Sequence, residues 1–291
     1  MSHPDRPPAP RPSVPARSSV PPIASTASAG LFALVGCAAA PPPQPARGLA
    51  DWRTLQVVAP YSGGSREDAV VRVVGPASCT GALVREQVVL TAHHCVAERD
   101  RFGRPRERSV APEALTIEVG GGDLPWAEAK VRAIVAPQCG YAAGDGDIAL
   151  LVLDRPLSGM EPLAVDLDDA PRAGEAISVS GFGVCTEHRG GIVRHRRSAR
   201  AVDRVGSGDF SAMAAICPGD SGGPVRRKRG DELGAIVGVV SSSVMDNDPR
   251  TEGRSYFTRL DRWRSLFAAA DALAQGTPAA ELPPFDECAG W

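Results

Sequence analysis

The chain has 291 residues, of which 43% are hydrophobic, 23% charged and 5% aromatic, and its formal net charge is −2. That is enough apolar material for a large core, so a chain disordered throughout is excluded. The small net charge gives no footing for a partner held by bulk electrostatics.

Residues 1–50 differ in kind from the rest: they hold 12 of the 27 prolines and a single acid, Asp5. Such a segment cannot build a core. Arg6, Arg11 and Arg17 precede a small-residue and apolar stretch from about Ile23 to Ala40, densest over Leu31–Gly36. A bilayer span takes ~20 apolar residues, so this stretch is too short to cross. Residues 1–36 are expected to be a secretory signal with a long charged n-region. Leu34-Val35-Gly36-Cys37 resembles a bacterial lipobox. That resemblance implies an acylated Cys37 and a bacterial lipoprotein anchored on the periplasmic or outer surface. An ordinary signal cut after Ala38-Ala39-Ala40, giving plain secretion, is the alternative; Pro41 at the next position disfavours it. Residues 37–54 would then be a Pro-rich tether.

From Asp51 onward there are 28 basic residues (32 less four) against 33 acidic (34 less one). Short apolar runs separated by turns dominate: Val70–Val74, Gly81–Val84, Val88–Thr91, Leu115–Val119, Lys130–Val135, Ile148–Leu153, Ala176–Ser180, Val225 and its neighbours, Ala235–Val240 and Tyr256–Leu260. Strands of this length and spacing predict an all-β sandwich or barrel. One stretch, 260–273, reads as a helix, with Trp263, Leu266, Phe267, Ala270 and Leu273 on one face. Residues 276–291 form a C-terminal tail.

Three stretches carry chemistry. Cys217-Pro218-Gly219-Asp220-Ser221-Gly222-Gly223-Pro224 flanks a serine with glycines, whose backbone can approach a substrate and turn the N–H groups of Gly219 and Ser221 toward one oxygen. A serine hydroxyl is a poor nucleophile and needs a base. Thr91-Ala92-His93-His94-Cys95 supplies a histidine, and Gly146-Asp147-Ile148-Ala149-Leu150-Leu151 carries an aspartate into an apolar run.

In the order His, Asp, Ser, these motifs resemble the T-A-A-H-C box, D-I-A-L-L strand and G-D-S-G-G-P loop of the chymotrypsin-like, trypsin-fold serine endopeptidases. The resemblance spans about residues 57–270. It implies an all-β fold of two antiparallel six-stranded β-barrels with a C-terminal α-helix. The peptidase domain would cover 55–275, with barrels at about 55–165 and 170–260 and a cleft between them. It also implies roles. Ser221 is the nucleophile, Asp147 orients the imidazole, and the histidine directly before the cysteine, His94, is the base. His93 stands where the family usually has alanine and is read as packing or facing solvent. Asp145 rivals Asp147 by parity but does not open the strand. His188 and His195, among arginines, are read as surface residues. Gly219 and Ser221 would form the oxyanion hole.

The same resemblance extends to the supporting groups. Ser241 matches the serine that hydrogen-bonds the triad aspartate, and residues 241–243 would offer backbone to an extended substrate. Ser242 and Ser243 replace the family's usual tryptophan and glycine. The base of the primary pocket falls at Ala215, where trypsins carry an aspartate, with Ser243 and about Ser255 on the walls. A cation there would be unpaired, so cleavage after uncharged, small to medium side chains is expected rather than after Arg or Lys.

Seven cysteines reduce to six once Cys37 is set apart, an even count that suits an exported, disulfide-bonded protein. The family's histidine-loop disulfide corresponds to Cys79–Cys95. The loop after Gly181-Phe182-Gly183 packs near the nucleophile loop in this fold, which implies Cys185–Cys217 and leaves Cys139 with Cys288. Zinc is the competing reading of these cysteines, but their spacings match none of its usual patterns. No metal, cofactor or phosphate-loop motif is present. The basic runs at 189–204 and Arg226–Arg229 are read as solvated faces rather than a nucleic-acid site. Expected partners are a protein or peptide substrate, and a membrane only through the lipid anchor; oligomeric state is open. The alternative function is a trypsin-fold binding module without turnover.

In this family the counterpart of Asp220 is paired by a new α-amino group, made by cutting before I-V-G-G. No such sequence occurs here, and Val57-Val58-Ala59 after Gln56 is the nearest substitute. Either a cut before Val57 releases the domain from its anchor, or an internal partner holds Asp220; the uncut form is favoured.

Overall fold

The computed structural model of the chain describes residues 55–56, 66–137, 146–185, 192–244 and 252–282. The expected signal, the lipidated Cys37, Val57–Ala59, Asp145, His188, and the Cys139–Cys288 pair lie outside the described residues.

Six strands form the first unit of structure: β1 (Val70–Val74), β2 (Ser78–Arg85), β3 (Val88–Thr91), β4 (Thr116–Val119), β5 (Ala127–Val135) and β6 (Ala149–Leu153). They close a barrel in the order β1-β2-β3-β6-β5-β4, every neighbouring pair antiparallel. Val, Leu and Ile fill it, as β-branched and aliphatic side chains suit a pleated, buried surface. Strands β3 and β6 are buried on both faces. Their outer face is covered by the C-terminal helix, whose Leu266, Phe267, Ala270 and Leu273 join the same core. After β3 comes one turn of helix, α1 (His93–Val96). A hairpin of Ala97–Arg99 and Pro105–Ser109 follows it.

The second set is β7 (Ile177–Gly181), β8 (His195–Arg197), β9 (Arg204–Val205), β10 (Asp209–Ala214), β11 (Pro224–Arg229), β12 (Glu232–Ser243) and β13 (Gly253–Arg259). Their order is β8-β7-β11-β12-β13-β10-β9. The expectation was six strands, and the difference is instructive. The two edge strands are the ends of one bent stretch, 195–205, whose middle bonds to β10 through Arg200 N–H to Met213 O (2.8 Å) and Ala215 N–H to Ser198 O (2.9 Å). Phe210 and Phe257, with ring centroids 5.1 Å apart, fill the core of this sheet.

Helix α2 runs Arg264–Ala274, four residues later than expected. Leu260 still belongs to the sheet, because its N–H bonds Val237 O at 3.1 Å. The predicted apolar face is nonetheless buried throughout. The basic runs need a larger correction. Arg197 and Arg226 are buried, and Arg194, Arg226 and Arg227 pair with Asp68, Glu67 and Asp166 at 2.9, 3.1 and 3.2 Å. These side chains are paired and wholly or partly buried, whereas Arg196, Arg200, Arg204, Lys228 and Arg229 are exposed as expected.

Candidate active site

Ser221 lies on the turn between β10 and β11, and glycines set its path. Gly219 takes φ +101° and Gly222 φ +81°, a region that residues with a Cβ rarely occupy. A Cβ on Gly222 would stand 2.2 Å from both Thr80 O and Thr91 Oγ1 and 3.0 Å from Ala92 N. The loop is therefore pressed against the ends of β2 and β3. Hydrogen bonds reinforce the seam: Thr80 N–H to Ser221 O (2.8 Å), Thr80 Oγ1 to Gly219 O (2.7 Å) and Gly222 N–H to Val240 O (2.8 Å). Ser221 is thereby held beside the segment that leads into α1.

Consecutive side chains on a helical turn diverge by about 100°, so His93 and His94 face different ways. His93 is buried, with Nε2 3.1 Å from Ser109 Oγ on the hairpin. Burial is the main reason its pKa falls below the ordinary histidine value, outweighing the attraction of Asp147. His94 turns instead to Asp147. Its Nδ1 lies 2.7 Å from Asp147 Oδ2, and its backbone N–H donates to Oδ1 at 2.9 Å. A carboxylate only accepts, so Nδ1 carries the hydrogen and Nε2 keeps a lone pair.

Asp147 is 2% exposed and receives a third bond, from Ser241 Oγ at 2.5 Å. Burial pushes its carboxyl up, but the charge of His94, its side-chain bond, the Ser241 hydroxyl and the His94 N–H together hold it below the usual range. The structure thus brings His94, Asp147 and Ser241 into one hydrogen-bonded chain. Gly222 N–H on Val240 O ties the Ser221 loop to the residue beside Ser241.

The backbone donors of the loop divide into two groups. Asp220 N–H bonds Cys217 O and Gly223 N–H bonds Asp220 O, whereas the N–H groups of Gly219 and Ser221 find no backbone acceptor among the described residues. Those are the two positions expected to face an oxyanion. Ala215, the expected pocket floor, is buried. Ser243 and Ser255 are cross-strand neighbours on β12 and β13, with hydroxyls 2.8 Å apart. Among the described residues, an acid near this floor is Glu252, whose carboxylate accepts from Ser198 Oγ and Arg200 Nε.

Disulfides join Cys79 to Cys95 and Cys185 to Cys217. The first brings Cys95 Sγ within 3.7 Å of His94 Nε2. Cys79, His94 and Cys95 are close enough to suggest a metal centre, but both sulfurs are bonded to each other and offer no thiolate.

One residue escaped the sequence reading. Arg197 lies with Nε 2.7 Å from Oδ2 of Asp220, and both side chains are buried. Its signal was available: a buried acid demands a cation, and in strand β8 side chains alternate, with Arg196 outward and Arg197 inward.

The family model described as Trypsin matches residues 59–266. A trypsin of Tyrophagus putrescentiae is 28% identical over 227 residues, covering 67% of this chain and 73% of its own. A vitellin-degrading protease of Bombyx mori is 27% identical over 250 residues, covering 72% and 82%. Among solved structures, human heparin binding protein aligns with TM-score 0.54 at 20% identity, covering 71% of this chain and 93% of that one. A scabies mite inactivated protease paralogue aligns with TM-score 0.52 at 21% identity, covering 71% and 96%. At such identities the structural likeness speaks to the fold.

Proposed function

This chain belongs to the trypsin family of serine proteases, and from that premise we propose that it is an active serine endopeptidase acting through His94, Asp147 and Ser221. The observation that carries the reading is the buried chain from Ser241 through Asp147 to His94 Nδ1. It fixes the tautomer in which Nε2 can accept a proton. Fold alone would not separate enzyme from binding module, since one structural neighbour is named an inactivated protease.

In the proposed cycle, Ser221 Oγ bonds to the scissile carbonyl carbon while His94 Nε2 takes its proton. Asp147 stabilises the imidazolium, and the N–H groups of Gly219 and Ser221 hold the oxyanion. The C–N bond then breaks, with the proton passing from His94 to the leaving amine. Water, deprotonated by the same histidine, releases the acyl group and restores Ser221. Family membership implies protein substrates. For the residue before the cut, Ala215 at the floor and the Ser243–Ser255 pair across the pocket support small to medium, uncharged side chains. Among the described residues, Glu252 near the floor already accepts from Ser198 and Arg200, which disfavours Arg or Lys there. Peptide-library profiling tests this, and a dominant preference for Arg would refute it.

The two disulfides point to export, since such bonds persist in oxidising compartments. Among the described residues no helix is long and apolar enough to cross a membrane. Anchoring through lipid on Cys37 is proposed from the sequence Leu34–Cys37. Mass spectrometry of the mature N-terminus decides it, and a species beginning at Pro41 would mean plain secretion. The enzyme reading itself is tested by a fluorophosphonate probe with Ser221→Ala as control.

A further inference from the structure

Building on the reading of this chain as an active peptidase, we propose that Arg197 is a positioning residue that holds the oxyanion loop in its working form, so the peptidase needs no newly cut N-terminus. Asp220 sits between Gly219 and Ser221, the two residues proposed to supply the oxyanion donors, and its side chain is 0% exposed. Oδ1 accepts from Gly183 N–H at 2.8 Å and Oδ2 from Cys217 N–H at 2.9 Å. The neutralising charge is Arg197, with Nε 2.7 Å from Oδ2. That contact is ionic in character, because the Nε–H is not aligned for a hydrogen bond. The guanidinium is anchored separately, Nη2 donating to Gly183 O. Arg197 therefore ties the nucleophile loop to the Gly181–Gly183 turn, and the Cys185–Cys217 disulfide ties the same two segments a second time.

Space around the carboxylate is also taken. A Cβ on Gly183 would lie 2.5 Å from Asp220 Cγ, and one on Gly181 2.3 Å from Oδ1. An α-amino group created by a cut would have to displace Arg197 or stand beside it as a second buried cation. Like charges brought together in a dry interior oppose each other, so the resident guanidinium excludes the incoming amine. The two cations also differ in titration. An α-amino group loses its charge above a pKa of about 8, whereas a guanidinium stays protonated past about pH 12. A loop held by Arg197 should keep its order through alkaline pH.

The test uses the full chain carrying an inserted cleavage site directly before Val57, compared before and after cutting, with fluorophosphonate labelling of Ser221 as readout. Equal labelling of the uncut and cut forms is expected. Arg197→Gln should slow labelling by about 100-fold, the scale set by loss of oxyanion donors. Arg197→Lys, which retains a cation, should label well near neutral pH but lose reactivity as pH rises, a limb absent from the unsubstituted chain. A purely structural arginine would not move that limb. Labelling only after the cut, with Arg197→Gln matching the unsubstituted chain, would overturn the role of Arg197 and leave the peptidase reading standing. No labelling in either form would overturn the peptidase reading and this inference with it. Should Arg197→Gln fail to fold by circular dichroism, the pH profile of Arg197→Lys still decides: a profile unchanged from the unsubstituted chain overturns the proposal.

Discussion

Two aspartates flank the candidate nucleophile's surroundings, both almost fully buried and neutralised in different ways. Asp147, 2% exposed, faces His94, an imidazole that can gain and lose a proton and keeps 18% of its side chain open to solvent. Asp220, 0% exposed, faces Arg197, a guanidinium that holds its charge and is sealed inside. A buried carboxylate needs a partner in either case. What the partner can do decides the role: a titrating, accessible partner suits proton transfer, and a fixed, sealed one suits holding a loop still. The substitutions below separate these two roles, in falling order of expected effect.

Replacing Ser221 by Ala, His94 by Ala or Asp147 by Asn should each remove nearly all activity, Asp147→Asn by about 10⁴-fold because the imidazole then adopts the wrong tautomer. Steady-state kcat/KM on a peptide substrate measures this, with circular dichroism to confirm folding. Breaking the second pair should look different. Arg197→Gln leaves Asp220 buried without its cation, which costs about 3–5 kcal/mol of stability as well as activity. Denaturant melts should therefore shift for Arg197→Gln far more than for Ser221→Ala.

Removing only the support beneath Asp147 gives a smaller effect. Ser241→Ala deletes one donor that holds the carboxyl below its usual range, so the Asp147 pKa should rise. The group's folded-state value is depressed, so its contribution to stability is present above the unfolded value and lost as pH falls through the folded one. In Ser241→Ala that loss should be smaller and should be complete at a higher pH, as acid titration of stability would show.

How much of this was legible in the sequence follows the same division. Motif spacing pointed to His94, Asp147 and Ser221, of which the structure joins His94 to Asp147, and apolar runs such as Val70–Val74 and Val88–Thr91 matched strands residue for residue. Strand β10, Asp209–Ala214, left little trace, because Ser211, Ala212 and Ala214 are small and the bulk of that core comes from Phe210 and Phe257. The hairpin strand Pro105–Ser109 was invisible for the opposite reason: it is nearly all exposed and charged, with no apolar alternation. Arg197 was misread because its neighbours in sequence are arginines that do reach solvent. Strand alternation and the buried acid's need for a cation would have singled out the one of the run that turns inward to Asp220.

His93 offers the smallest effect and the sharpest contrast with its neighbour. His93→Ala should keep most of the activity, since its ring is bonded to Ser109 while His94 holds the Asp147 carboxylate. Its effect belongs to stability. Burial lowers its folded-state pKa below 6.5, so the unfolded chain binds the proton first, and stability contributed by a neutral His93 falls as pH drops below about 6.5. Thermal melts between pH 7 and 5 should show a shallower decline in His93→Ala than in the unsubstituted chain.

The central claim is that this chain, uncut before Val57, already holds a working serine nucleophile. Its most direct measurement is fluorophosphonate labelling of the intact full-length chain beside Ser221→Ala, with intact mass recorded on the labelled species. The account predicts one adduct per chain, on Ser221, in protein still continuous through Val57, and none in Ser221→Ala. An intact, folded chain that takes up no probe, or equal uptake by Ser221→Ala, would contradict it.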